Sequence, residues 1–286
     1  MFIDNLNLAL FSKSVEDYPI EKLPEKLQSL GIYSVDLTVR PGGIIDPLKV
    51  KNDLPKLQEM LLKKGITIAM ITTNITDASD EASKRIIKTA SKLGIKYYKL
   101  GYFKYEGFGT LKELRKKVRK NIAELSDLNG EYGIQGGFHN HSNDFFGASV
   151  WDVFHAIKNV PPQTIGAYFD PAHAVIEGGS CAWKMGMDLL SDRIIMLAVK
   201  DFHWVEGKHR YAGGRRHSVE ICPLTDGNVP WTEVLQILKS INFKGPVSIH
   251  SEYKGAHCFS DLGTEDVFCQ TEKDVSLFKQ WCSALG

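Results

Sequence analysis

The stretch Lys92–Leu100, KLGIKYYKL, places a glycine between an amphipathic run and a β-rich run. The same phrase occurs at three other places, which are Ser29–Leu37 (SLGIYSVDL), Lys63–Ile71 (KKGITIAMI) and Glu131–Phe138 (EYGIQGGF). A glycine just past a helix end tolerates the left-handed conformation that caps the helix, so each phrase predicts a helix followed by a strand. Spacings of about 30 to 40 residues are typical of strand-plus-helix units rather than of hairpins.

The alternation continues along the whole chain and gives eight predicted strands. They are Leu6–Phe11, Ile32–Leu37, Thr67–Ile71, Tyr97–Gly101, Ile134–His139, Ile165–Phe169, Ile194–Lys200 and Val247–His250. The most distinct predicted helices are Asp46–Lys64, Ser79–Leu93, Leu111–Tyr132, Trp151–Asn159 and Trp231–Ile241. This order indicates an α/β fold, a (β/α)8 TIM barrel, with an open doubly wound sheet as the alternative. No glycine-rich phosphate fingerprint follows the first strand, and no linker divides the chain, so we expect one barrel domain over residues 1–286.

Composition excludes several classes of partner. The 286 residues carry 35 Lys and Arg against 34 Asp and Glu, which argues against a nucleic-acid or membrane-surface partner. No stretch approaches the ~20 apolar residues of a membrane span. The five cysteines form no CxxC pair and indicate reduced thiols, so we expect a cytoplasmic protein, or a periplasmic one if a leader preceded residue 1. The sequence leaves the oligomeric state open, a homo-oligomer included.

Titratable side chains collect where the last four predicted strands end. In GFHNHSND, Gly137–Asp144, His139 and His141 are two residues apart and would share one face of a strand. Barrel enzymes place their working residues at these strand ends, so histidines and carboxylates from separate strands should meet there. Mixed nitrogen and oxygen ligands predict a divalent cation such as Mn, Zn, Co or Fe, whereas an oxygen-only site would suit Mg. Such an ion would polarise sugar oxygens and stabilise an enediolate while a carboxylate or imidazole moves the proton.

Six segments, in this order along the chain, resemble the xylose-isomerase-like TIM barrel superfamily of sugar isomerases and epimerases. They are VDLTVRPGG (Val35–Gly43), HNHS (His139–Ser142), FDPAHA (Phe169–Ala174), VKDFHW (Val199–Trp204), PLTDGNVPW (Pro223–Trp231) and GPVSIHSEY (Gly245–Tyr253). The resemblance covers nearly the whole chain. It implies a metal held by Glu, Asp, His and Glu from the fifth to eighth strands, of which Asp170 matches the second and Glu252 the fourth.

Two positions depart from the family pattern. His139 stands where relatives have a metal-binding glutamate, and Ala198 stands where relatives have a ligand histidine. Because alanine cannot bind a metal, His203 or His141 would have to complete the site. Lys200, on the same strand face as Ala198, could instead supply a cation where metal binding has weakened.

The leading hypothesis is a divalent-metal-dependent isomerase or epimerase that acts on a small sugar or keto-sugar through an enediolate. His139, Asp170 and Glu252 would bind the metal with His203 or His141, and Glu252 or His139 would abstract the proton. Lys200 is a further catalytic candidate. The predicted substrate contacts are His173, Arg40, Trp204 and Asp201.

Three alternatives remain open at this point. The first is a keto-sugar dehydratase or lyase of the same superfamily, and the second is a non-catalytic carbohydrate-binding barrel that lost a ligand at Ala198. The third is an abasic-site endonuclease, which shares the barrel and the spacing of Asp170 and His173. The neutral net charge, and Lys99 where such a nuclease would have a histidine, argue against the endonuclease.

Overall fold

Eight parallel strands close into a barrel in simple chain order. A computed structural model describes residues 6–211 and 214–286, with no side chains described for 208–211 and 214–216. Each strand pairs with the next, and the eighth pairs with the first. The barrel strands are β1 (Asn7–Phe11), β2 (Ser34–Val39), β3 (Thr67–Thr73), β4 (Tyr97–Lys99), β5 (Gln135–His139), β6 (Ile165–Phe169), β7 (Ile194–Val199) and β8 (Pro246–Ile249). The predicted single (β/α)8 TIM barrel is confirmed, and the open doubly wound sheet is wrong.

Helices alternate with these strands throughout the described residues. They are α1 (Leu23–Ser29), α2 (Val50–Lys63), α3 (Glu81–Lys92), α4 (Leu111–Tyr132), α5 (Val150–Ile157), α6 (Pro171–Leu189), α7 (Trp231–Ser240) and α8 (Thr264–Ala284). The bounds of α4 and β6 are those predicted. β4 ends two residues before the predicted Gly101, because the Gly101 amide leaves the sheet and donates to the Ile75 carbonyl at 2.7 Å.

The glycines of the repeated phrase adopt the conformation that the sequence predicts. Gly31, Gly65, Gly94 and Gly133 have φ of 66°, 73°, 74° and 63°, which is the left-handed region. Each lies between a helix and the strand that follows it. A residue with a Cβ would be strained there, so these four positions fix the point at which the chain turns back toward the barrel.

An apolar layer fills the inside of the barrel beneath the mouth. Met70, Tyr168, Met196 and Ala198 form a buried cluster of their own, separate from the larger core between strands and helices. Side chains two residues apart share a face of a strand, so Met196, Ala198 and Lys200 all face inward. Lys200 directly follows β7 and therefore emerges above this layer, at the carboxyl end of the barrel.

A β-hairpin that the sequence did not predict follows β7. Its strands, Asp201–Tyr211 and Gly214–Cys222, pair antiparallel from Asp201 opposite Cys222 to Tyr211 opposite Gly214. A smaller antiparallel pair joins Phe103–Lys104 to Phe145–Phe146. The hairpin interrupts the strand-helix alternation before α7, and it supplies one wall of the cavity described below.

Two further features bear on the sequence-based expectations. All five cysteines are free thiols. Among the described residues, no helix combines the length and the apolar character needed to cross a bilayer.

Candidate active site at the barrel mouth

The ammonium group of Lys200 lies at the centre of a cluster of buried polar groups. Its Nζ is 3.2 Å from Asp170 Oδ2, 2.8 Å from His173 Nε2 and 3.2 Å from Glu252 Oε2. The Lys200 side chain is only 3% exposed. Because an ammonium has three N–H donors and no acceptor, these three partners occupy all of its hydrogens. Burial alone would lower the pKa of Lys200, but the charges of Asp170 and Glu252 raise it, so the group is a fixed cation.

Asp170 joins this cluster to the start of α6. Its Oδ1 accepts the backbone N–H of His173 at 3.0 Å, which caps the helix, and Pro171 occupies the first helical position. Its backbone is held by Asn140, whose side chain donates to the Asp170 carbonyl and accepts from the Asp170 amide, both at 2.8 Å. Burial tends to raise the pKa of Asp170, but the Lys200 charge, with His173 and His139, brings it well below its usual range.

The hydrogen bonds fix the tautomers of two buried histidines. Because Lys200 can only donate, Nε2 of His173 accepts, and its Nδ1–H donates to Ser142 Oγ at 2.8 Å. His139 Nε2 lies 3.2 Å from Asp170 Oδ2 and donates to that carboxylate. His139 Nδ1 then accepts from the Tyr102 hydroxyl at 3.2 Å. Burial lowers the pKa of both imidazoles well below the usual value, so both are neutral.

Glu252 is the carboxylate of the cluster that reaches the cavity. One oxygen faces Lys200, and Lys13 donates to the other, Oε1, at 2.6 Å. Its side chain is 14% exposed. Burial tends to raise the pKa of Glu252, but the Lys200 charge is the main cause that holds it well below its usual range, and Lys13 adds to this. Glu252 is therefore ionised at neutral pH.

A cavity of about 670 Å³ opens above these groups. His173, Lys200 and Glu252 line its floor, and the hairpin contributes residues such as His217 and Val219. His141 also lines the cavity, with its ring centroid 4.0 Å from that of His173. Burial is the main cause that lowers the pKa of His141 to about 4, so it is neutral as well.

The structure brings together six of the predicted site residues: His139, His141, Asp170, His173, Lys200 and Glu252. The other four lie elsewhere. His203 Nε2 is 3.3 Å from Glu220 across the hairpin, and Arg40 is 3.5 Å from Glu16. Trp204 is 44% exposed and lies edge-on to Phe202.

Asp201 holds a loop instead of facing the cavity. Its Oδ1 accepts the amides of Phe202 and Val229 at 2.8 and 2.9 Å, and its Oδ2 accepts Trp231 Nε1 at 2.9 Å. Burial raises the pKa of Asp201 to about 7. None of these four described side chains (Asp201, His203, Arg40 and Trp204) lines the cavity, and their roles stay predictions.

Sequence reasoning missed several residues that complete the site. They are Lys13, Tyr102, Ser142 and Tyr168. Lys13 lies two residues after the end of β1, in a short 3-10 turn, Ser12–Val15, so its place after a strand end was the available signal. Tyr168 faces into the barrel, and its hydroxyl is 2.8 Å from His250 Nε2.

As placed, these residues do not fit a resident divalent ion. In the part of the chain that the structure describes, no group of three or more His, Cys, Asp or Glu side chains is arranged to hold a metal. Asp170 and Glu252, the two positions that match the family's ligands, both face the Lys200 ammonium. Ala198 contributes no ligand, and His203 is turned toward Glu220.

The fold and the mouth cluster together define a TIM barrel with a cluster of buried charged groups at the carboxyl ends of its strands. The family model of the xylose isomerase-like TIM barrel matches residues 24–275, and the chain belongs to that family. An uncharacterised protein from Methanocaldococcus jannaschii is 23% identical over 133 residues, which is 46% of this chain and 41% of that protein. The matched part thus spans less than half the length of that relative.

Solved structures of similar fold cover nearly the whole chain. A xylose isomerase-like TIM barrel protein from Mycobacterium smegmatis in complex with magnesium aligns with a TM-score of 0.72 at 16% identity and covers 100% of both chains. D-Psicose 3-epimerase with D-tagatose from Clostridium cellulolyticum H10 aligns at 0.71 and 14%, covering 97% of this chain and 99% of that one. The IolI protein with a bound zinc atom aligns at 0.71 and 18%, covering 98% and 99%. Sugar epimerases, and proteins crystallised with magnesium or zinc, are therefore among the proteins that share this fold.

Proposed function

We propose that this protein is an isomerase or epimerase of a small keto-sugar, with Glu252 as the base that removes a proton beside the carbonyl. The observation that carries the proposal is the Glu252 carboxylate, kept ionised by Lys200 and Lys13 and facing a cavity at the barrel mouth. The membership of the chain in the xylose isomerase-like family, and the sugar epimerases among proteins of the same fold, support it.

The proposed reaction passes through an enediolate. Glu252 takes the proton from the carbon next to the carbonyl, and the electron pair moves onto the carbonyl oxygen. Return of a proton to the neighbouring carbon gives an isomer, and return to the opposite face of the same carbon gives an epimer. His141, neutral and at the cavity wall, would hydrogen-bond a hydroxyl group of the sugar. His173 as a substrate contact stays a prediction, because Lys200 and Ser142 already engage both of its ring nitrogens. Arg40, Trp204 and Asp201 stay predictions as substrate contacts.

Two parts of the sequence-based hypothesis, a second base and a metal cofactor, are not part of the proposed reaction. His139 as a second base stays a prediction; both of its ring nitrogens are already engaged, by Asp170 and Tyr102. A divalent cofactor, Mn, Zn, Co or Mg, also stays a prediction. No step of the proposed reaction depends on it, because the carboxylates that would bind it face Lys200.

Solvent exchange tests the proposal. The protein is mixed with a panel of keto-sugars in D₂O, and proton NMR follows the carbon next to the carbonyl. We expect deuterium to enter at that carbon as the isomer or epimer appears, and Glu252→Gln to lose the exchange. Glu177→Gln, at a second carboxylate that lines the same cavity, is the matched control and should keep it. Wild-type exchange in Glu252→Gln would show that another group is the base.

A keto-sugar lyase is the second candidate, and one observation favours it. The Lys200 ammonium and the Glu252 carboxylate lie 3.2 Å apart on the cavity floor, so a hydrogen-bond donor for the leaving hydroxyl and a base face the substrate from the same side. That arrangement suits the loss of a proton and a neighbouring hydroxyl as water. The same NMR experiment separates the two reactions, since elimination gives an unsaturated product. A non-catalytic carbohydrate-binding barrel would shift the sugar resonances and exchange no hydrogen.

A further inference from the structure

We propose that the Lys200 ammonium is the resident cation of this site and takes the place of a divalent metal. This inference rests on the proposed function, because it assigns the group that would stabilise the charge on the substrate oxygen. The carboxylates and the imidazole nitrogen that converge at the mouth all point at one atom, Lys200 Nζ, from 2.8 to 3.2 Å.

The acceptors around Nζ come from two strand ends, those of β6 and β8. Asp170 follows β6, Glu252 lies shortly after β8, and His173 is in the first turn of α6. Two carboxylate oxygens and one imidazole nitrogen are electron-pair donors of the kind that bind a cation. Here the cation that they surround is the Lys200 ammonium. Its three hydrogens match the three acceptors one to one.

The charge of the cluster is already balanced without an added ion. Asp170 and Glu252 contribute two negative charges, and Lys200 and Lys13 contribute two positive charges within 3.2 Å of them. The neighbouring His139 and His173 are neutral in the tautomers that their hydrogen bonds fix. A divalent ion bound at the same point would add two positive charges beside a buried ammonium, which is strongly unfavourable at low dielectric.

The position of Lys200 follows from the sequence of β7. Ala198 is fully buried in the apolar layer with Met70, Tyr168 and Met196. Lys200 is the next inward-facing position, so its aliphatic stem rises from that layer and only its ammonium reaches the carboxylates. A histidine at position 198 would project toward the space that the Lys200 side chain occupies. The small residue at 198 therefore leaves room for the lysine at 200.

This arrangement gives Lys200 a defined part in the proposed reaction. When Glu252 accepts the substrate proton, the C–H bond breaks, an O–H bond forms on Glu252, and the electron pair moves to the carbonyl oxygen. Glu252 then no longer balances the ammonium, and the N–H that it accepted becomes available to the new oxyanion. Lys200 stays protonated throughout, and its charge is stabilising in the transition state more than in the ground state.

Metal analysis and thermal unfolding test the inference without relying on activity. Purified wild-type protein should carry no stoichiometric transition metal by elemental mass spectrometry, and Mn²⁺, Zn²⁺ or Mg²⁺ should leave its Tm unchanged. Lys200→Met frees the two carboxylates, so Mn²⁺ or Zn²⁺ should raise the Tm of that variant. The double variant Ala198→His with Lys200→Met restores a ligand and should respond more strongly. Lys99→Met is the matched control, because it removes another buried lysine at this end of the barrel and should give no metal response.

The outcomes separate this inference from the proposed function. A stoichiometric metal in the wild-type protein, or a folded Lys200→Met variant that ignores metals, would overturn it. If Lys200→Met does not fold, the inference is tested by the metal content of the wild-type protein and by the change of its Tm on addition of metal ions. Deuterium exchange that persists in the presence of EDTA supports both proposals. If EDTA abolishes the exchange, the proposed isomerase function stands, but the inference that Lys200 replaces a metal is rejected. If the wild-type protein is metal-free but exchanges no sugar hydrogen, the inference about the Lys200 ammonium stands and the proposed isomerase function is rejected.

Discussion

Lys13 Nζ lies 2.6 Å from Glu252 Oε1, and this ion pair joins the first strand end of the barrel to the last. The two residues are 239 positions apart in the chain, and closure of the barrel between β1 and β8 brings them together. Lys13 and Lys200 hold the two oxygens of Glu252 from different sides. The orientation of the proposed base is therefore set by two lysines.

Replacement of Lys13 tests its part in positioning Glu252. Because the Lys13 side chain is 43% exposed, solvent screens the pair, and we expect Lys13→Met to slow deuterium exchange by about tenfold or less. The loss should appear mainly in kcat, since Glu252 would be misplaced while the sugar still binds. Lys64→Met is the control. Lys64 is an exposed lysine at the end of α2 that pairs with Glu25 of α1, and its replacement should leave the exchange rate unchanged. Equal losses in the two variants would contradict the prediction.

A double-mutant cycle on Asp170 and Lys200 measures how strongly the buried charges depend on one another. Asp170→Asn leaves Lys200 with one carboxylate fewer and should lower the free energy of unfolding by about 3–5 kcal/mol. The double variant Asp170→Asn with Lys200→Met removes both charges, so its cost should fall short of the summed single costs by about 0.5–3 kcal/mol. Urea unfolding gives the three values. Additive costs would show that the 3.2 Å contact is energetically unimportant.

Much of the fold could be predicted from the sequence because it is a periodic repeat. The four glycines of the repeated phrase mark helix ends by their left-handed φ, and β6 and α4 begin and end where the periodicity places them. The hairpin after β7 departs from this periodic alternation of strands and helices. The predicted strand ends at Lys200, and no element is predicted for residues 201–204, whereas they begin an antiparallel ribbon in which His203 faces Glu220.

The site could be predicted in part for a different reason. Strand ends identify which residues reach the mouth, and this placed Asp170, His173, Lys200 and Glu252 together. Strand ends do not identify which group a long side chain will contact. The convergence of Lys200 on three acceptors depends on its rotamer, and the contact of Lys13 with Glu252 depends on barrel closure, so neither leaves a local pattern in the sequence.

Gly227 provides a test of the loop that Asp201 holds. A Cβ at Gly227 would lie 1.8 Å from Asp201 Cγ, and Asp201 cannot move without releasing the Val229 amide and Trp231 Nε1. We expect Gly227→Ala to lower the free energy of unfolding by about 1–3 kcal/mol. Gly130→Ala, in the last turn of α4 with no neighbouring heavy atom nearer than 3.7 Å, should be neutral or stabilising by up to about 1 kcal/mol. Calorimetry of the two variants compares the same glycine-to-alanine change in two environments. If both variants were destabilised to the same extent, the expectation would be contradicted.

Lys99 makes the stability of the protein depend on pH. Burial is the main cause that lowers the pKa of Lys99 from 10.5 to about 7; the side chain is 4% exposed, and Nζ lies 3.7 Å from the centre of the Tyr102 ring. Between these two values the unfolded chain holds a proton at Lys99 that the folded chain has released. Stability should therefore rise with pH across this window, by about 1.4 kcal/mol per unit from this group alone.

Lys99→Met removes that dependence, because methionine fills a similar space and carries no proton. The variant should be more stable than wild type at about pH 6, where the wild-type protein buries a charged lysine, and this difference should shrink by about pH 9. Urea unfolding of both proteins across this range measures the difference directly. Lys63→Met, at a lysine that is 73% exposed, controls for loss of a surface charge and should differ from wild type by a constant amount. A difference for Lys99→Met that is constant or grows with pH would mean that Lys99 stays charged in the folded protein, held by the nearby carboxylate of Asp36.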